Sequence, residues 1–181
     1  MAYKDILVQV DNKESSQARL NAALMLAEAN EARLTGLYVM MKPYLPAYAE
    51  AQISPEILEE QAEREKQAAE AAGEAFKKAA GSNGLNSEWR VAEGSLPEIF
   101  ALHARYYDLS VVGQVNPDNA IFVGDREMPD RMIMTSGRPA LVIPYVGEYK
   151  TIGKHVMVAW DASPMAARAV HDAMPFLQSA D

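Results

Sequence analysis

Lys4-Asp5-Ile6-Leu7-Val8-Gln9-Val10-Asp11 is the stretch from which the fold is read. Its centre is a nearly unbroken aliphatic run, too short for a helix of ordinary length and apolar on both faces. That pattern suits a strand inside a parallel sheet, covered above and below. It ends on an aspartate, and the carboxyl end of a central strand is where open α/β sheets bind ligands. Four more β-type runs follow, Leu34 to Met40, Glu88 to Val91, Leu109 to Val112 and Ala140 to Ile143, and three of the five are nearly continuous β-branched or aliphatic runs. Helical stretches separate them. Ser15 to Asn30 sets Leu20, Ala23, Leu24 and Ala27 on one stripe. Ser54-Pro55-Glu56 has the cap, first-position proline and acidic first turn of a helix start. That helix runs to Lys77-Lys78 and stops near Gly81, and another spans Leu96 to Tyr107. Alternating strands and helices give an α/β fold with a parallel sheet between two helical layers.

The chain has 181 residues, enough for one domain or one plus a remnant. It contains no cysteine, which excludes disulfides, thiolate metal sites and cysteine nucleophiles. Its formal charge of −8 opposes a nucleic-acid or membrane-surface partner. The N-terminal apolar run is too short for a signal peptide, and no window approaches a membrane span, so the expected location is the cytoplasm.

The opening stretch recurs. Lys154-His155-Val156-Met157-Val158-Ala159-Trp160-Asp161 repeats its order of lysine, apolar strand and aspartate at an offset of 150 residues. A helix from Met165 to Leu177 follows, with Ala169, Val170, Ala173 and Leu177 on one stripe and Ser163 at its start. The expected organisation is a module over residues 1–148, then a linker with the first strand and helix of an incomplete second module over 149–181. So short a tail cannot form its own core, so it is expected to dock on its own module or on a neighbouring chain.

Five segments, in order and at fitting distances, resemble the universal stress protein family. They are the strand ending in Asp11, Gly36-Leu37-Tyr38-Val39, Gly94-Ser95-Leu96-Pro97-Glu98-Ile99, Tyr107 through Gly113, and Arg138 through Pro144. The resemblance implies a Rossmann-like αβα sandwich with a five-stranded parallel sheet in the order 3-2-1-4-5. It also implies a homodimer along the last strand, and the short tail, residues 154–181, adds the expectation of a swapped oligomer.

Many members of that family bind ATP through a glycine-rich loop. Here Gly113 is kept, but at the matching spacings stand Asn116 and the pair Arg126-Glu127. Asp118, Asp125 and Glu127 put carboxylates where a triphosphate would lie. Two readings follow. Either the site is degenerate, or Arg126 supplies a phosphate contact with a divalent metal on the aspartates. By resemblance, Asp11 matches the base- or ribose-contacting aspartate and Val39 the residue beside the adenine. Their ordinary readings are a strand-end cap and a core valine. The expected function is therefore a non-catalytic stress-response protein that acts through dimerisation or protein partners and requires no cofactor. The alternative is an ATP- or AMP-binding module with magnesium and slow hydrolysis, using Asp11, Val39, Gly113, Asn116 and Arg126.

Other chemistry is not supported. His103, His155 and His171 have no ligand spacing, so no metal site is expected. No nucleophile elbow, dinucleotide fingerprint or Walker lysine loop occurs, and Ser15, Ser16, Ser136 and Ser163 have no adjacent base. The glutamate-rich segment from Glu56 to Glu74 reads as a solvated helix face, with Glu60–Arg64 and Glu74–Lys78 as pairs one turn apart. Met128, Met132 and Met134 read as core filler. The tyrosines of Met41 to Tyr48 either pack that loop on the sheet or offer a stacking surface.

Overall fold

The computed structural model describes residues 2–13, 15–41, 54–116 and 128–181. Five strands form one parallel sheet: β1 (Asp5–Gln9), β2 (Arg33–Met40), β3 (Ser87–Glu93), β4 (Leu109–Gly113) and β5 (Ala140–Ile143). Their spatial order is β3-β2-β1-β4-β5. β1 is central. Leu7 pairs with Thr35 on one side and Ser110 on the other. Two covered faces and two paired edges explain why Ile6, Leu7 and Val8 are fully buried.

Helices α1 (Ser15–Asn30) and α2 (Pro55–Ser82) cover one face. Helices α3 (Leu96–Ala104) and α4 (Met128–Ser136) cover the other. In α2 the buried residues are Ala69, Gly73, Phe76 and Ala80, a stripe confined to its second half. The reason is length. Its 28 residues span about 42 Å, whereas the eight of β2 span about 27 Å. Its first turns therefore extend past the strand ends, with Arg64 and Glu60 paired at 2.6 Å. The second expected pair forms differently: Glu74 meets Lys77 at 3.0 Å.

Phe76 and Trp89 pack ring to ring, 5.5 Å apart, against β2. Only glycine fits beneath them at position 36. A Cβ there would stand 2.9 Å from both rings. The helix expected to reach Tyr107 ends at Ala104. The turn that follows drops Tyr107 into the core, and the Asp108 carboxylate accepts the backbone N–H groups of Lys4 and Asp5 at 2.8 and 3.1 Å. In α4, Met128 and Met132 are core residues as expected, but Met134 is 80% exposed. Two positions past Met132 is about 200° around a helix, which turns Met134 to the solvent side.

The tail docks in part. Tyr149, Ile152 and Phe176 pack against the α1 side of the core. The Phe176 ring lies 5.5 Å from that of Tyr3, whose hydroxyl donates to the Asp172 carbonyl at 2.7 Å. Arg168 also donates to the Gly137 carbonyl. The expected single helix is two, α5 (Pro164–Asp172) and α6 (Met174–Ser179), separated at Ala173 just before Pro175. Ser163 caps α5 by accepting the Ala166 N–H at 3.1 Å. The strand expected at Val156 to Val158 does not form: the segment lies outside the sheet, with Met157 92% exposed. The loop carrying Tyr44 and Tyr48 lies outside the described residues.

Two measurements check this packing. Gly36→Ala should cost about 1–3 kcal/mol in urea denaturation, because both rings, the Phe76 one fully buried, would have to shift. An unchanged midpoint would mean the rings are slack. Burial, with Asp172 adding to it, pushes the Tyr3 phenol up to about 12. Its folded value exceeds the unfolded one, so its contribution is full below about pH 10 and lost as pH rises through about 12. Tyr3→Phe should flatten that alkaline loss, read as Trp160 fluorescence or thermal midpoint against pH.

Candidate functional site

The chain leaves β1 toward β2 on one side and reaches β4 on the other, so a crevice opens between the carboxyl ends of β1 and β4. A cavity of about 420 Å³ lies there, and Asp11, Lys13, Arg19, Gly113 and Asn116 are among its lining residues. A more open apolar recess of about 480 Å³ lies on the tail around Trp160 and Met165. It is far less polar and lies away from the strand ends.

The crevice floor is built by the turn from β1 into α1. Asp11 folds that turn over itself, with Oδ1 accepting the Lys13 N–H at 3.0 Å. The Asp11 N–H donates to Ser16 Oγ at 3.2 Å, which ties the strand end to the first turn of α1. Gln9 spans the two strands. Its side chain accepts the Gly113 N–H at 3.4 Å and donates to Asp11 Oδ2 at 3.4 Å.

Arg19 is the largest group in this floor, and it is only 2% exposed. Its Nε donates to the Gln9 carbonyl. Its Nη2 donates to Ser16 Oγ at 3.3 Å and meets Asp11 Oδ2 at 2.9 Å. Its Nη1 stands against Gly113 so closely that any Cβ at 113 would collide with it. Glycine at 113 thus makes room for the arginine where it lies, independently of any ligand. Both Asp11 carboxylate oxygens already carry hydrogen bonds from the protein.

The structure brings Asp11, Gly113 and Asn116 into one crevice. Val39 does not join them. It is 6% exposed and packs in the core beside Leu37 and Phe100, as its ordinary reading holds. Arg126, Asp118, Asp125 and Glu127 lie outside the described residues. Arg19, Gln9 and Ser16 escaped the sequence reading. The available signal was a cation on the buried arc of α1, three residues after Ser16 and four before Ala23. Beyond the crevice, Tyr38 donates to Glu65 at 3.0 Å; burial, then Glu65, raise its phenol well above the usual range. Burial, then Arg90, hold His103 below the usual imidazole value. Among the described residues no cluster of three acidic, histidine or cysteine groups is placed to hold a metal, and no helix is long and apolar enough to cross a membrane.

The sheet order and its two helical layers define a Rossmann-like α/β sandwich. A model of the universal stress protein family matches residues 2–114, and the chain belongs to that family. Among solved structures it is similar to universal stress protein UspA from Lactobacillus plantarum, at 21% identity and TM-score 0.63, covering 79% of this chain and 99% of that one. A universal stress protein from Archaeoglobus fulgidus matches at 17% identity and TM-score 0.73 over 97% of this chain and 62% of that one. A family protein from Arabidopsis thaliana with AMP bound matches at 12% identity and TM-score 0.54, covering 78% and 91%. Each shares the fold. No curated protein sequence matches.

Breaking the floor pair has a definite cost. Asp11→Ala leaves the Arg19 guanidinium buried without its counter-charge, and should destabilise the fold by about 3 kcal/mol in chemical denaturation. A loss within a few tenths would show that water replaces the carboxylate freely.

Proposed function

We propose that this universal stress protein is non-catalytic, works in the cytoplasmic stress response through dimerisation or protein partners, and needs no cofactor. The observation that carries this reading is the state of Asp11. Both of its carboxylate oxygens are bonded by Lys13, Gln9 and Arg19, so the group that would hold a base or ribose is already engaged. Two surfaces support a partner role. Among the described residues β5 is an edge strand, with one side of its backbone unpaired. The tail carries exposed Met157, Trp160 and Met165.

A second reading has its own support. The crevice sits at the switch point and retains Asp11, Gly113 and Asn116 around about 420 Å³, and an Arabidopsis thaliana protein of the same fold carries AMP. On that reading the chain binds AMP or ATP with magnesium and hydrolyses ATP slowly.

Calorimetric titration with AMP, and with ATP plus magnesium, separates the two. The first reading expects dissociation constants no tighter than about 1 mM, equivalent to about −4.1 kcal/mol, and no phosphate release above buffer. It also expects a dimer by sedimentation. Micromolar affinity, with hydrolysis lost in Asp11→Asn, would establish the second reading.

A further inference from the structure

We propose that Arg19 is the specificity-determining residue of the crevice: its buried guanidinium takes the place of a ligand and keeps adenine nucleosides and nucleotides out. The inference rests on the reading of a degenerate site and names the side chain responsible.

Arg19 stands between the two residues that the family resemblance assigns to ligand contact. Toward one it bonds Asp11 Oδ2 at 2.9 Å, and against the other it fills the space over Gly113. A ligand needs both places. A ribose would compete for the Asp11 carboxylate, and a phosphate would need to approach the Gly113 backbone closely. One side chain occupies both.

The alternative role for an arginine here is an anion receptor. The geometry opposes it. A receptor guanidinium keeps an edge open to the ligand, as in bidentate phosphate recognition. Here Nε is bonded to the Gln9 carbonyl, Nη2 to Ser16 and Asp11, and Nη1 is pressed on Gly113. Arg19 lines the crevice, but with 2% of the residue exposed it leaves little of its edge open to an anion. The charge is spent on Asp11, so an incoming phosphate meets a neutralised pair.

Arg19→Ala should therefore open a space continuous with the crevice, free Asp11 and uncover Gly113. The test is titration of the full chain and of this variant with AMP and with adenosine, alongside circular dichroism to show that the variant folds. The expected result is weak binding to the unaltered chain and at least tenfold tighter binding of both ligands to Arg19→Ala. Adenosine is informative because it has no phosphate: removing a mere attractive charge could not improve its binding. A folded Arg19→Ala that binds no better overturns the inference and leaves the degenerate-site reading standing. Micromolar AMP binding by the unaltered chain, weakened in Arg19→Ala, makes Arg19 an anion contact and overturns both. If Arg19→Ala does not fold, Arg19→Met decides. It keeps bulk against Gly113 while freeing Asp11, and should tighten adenosine binding severalfold. No gain there overturns the inference.

Discussion

β1 is buried on both faces and paired along both edges, so the polar groups where it turns into α1 take their partners largely from one another. That constraint shapes everything around the crevice. The Gln9 carbonyl, the Asp11 carboxylate and the Ser16 hydroxyl converge where β1 turns into α1, and the Arg19 guanidinium binds all three. A planar group with five donors suits such a convergence better than lysine, whose ammonium is more strongly hydrated. With the arginine lying there, a side chain at position 113 would displace it, and the glycine leaves it room between β1 and β4. The register of the two central strands, the start of α1 and the shape of the crevice thus meet at one ion pair.

The same pair carries the proposed function. In open α/β sheets the switch point is where ligands bind, because strand ends and helix starts leave polar groups facing a gap. Here those groups face one another. Membership of the universal stress protein family brings the crevice with it, but what the crevice holds is decided by side chains. The tail shows a parallel separation between pattern and context. Lys154 to Asp161 repeats the order of Lys4 to Asp11, yet Met157 is 92% exposed where Leu7 is fully buried.

Much of this was legible in the sequence. β1, β2 and β4 announce themselves because a strand buried on both faces needs aliphatic side chains without alternation. The sheet order follows from the family resemblance, and Asp11, Gly113 and Asn116 line one crevice. The illegible parts share a cause. The stripe of α1 was read from Leu20, Ala23, Leu24 and Ala27, and a charged residue beside it counts as solvent-facing until the helix is docked. Only docking shows that position 19 points at the end of β1. Met134 was grouped with Met128 and Met132 by composition, whereas helical phase sets it apart. The strand expected at Val156 to Val158 failed because strand propensity records fit to a pleated neighbour, and none lies beside it.

Side-chain nitrogen NMR of Arg19 addresses the central claim most directly, because the Nε–H donates to the Gln9 carbonyl in the crevice floor. The account expects an Nε–H resonance strongly protected from solvent exchange, lost in Arg19→Ala, and unmoved by millimolar AMP. A rapidly exchanging resonance, or one that shifts as AMP is added, would show an arginine open to ligand and would contradict it.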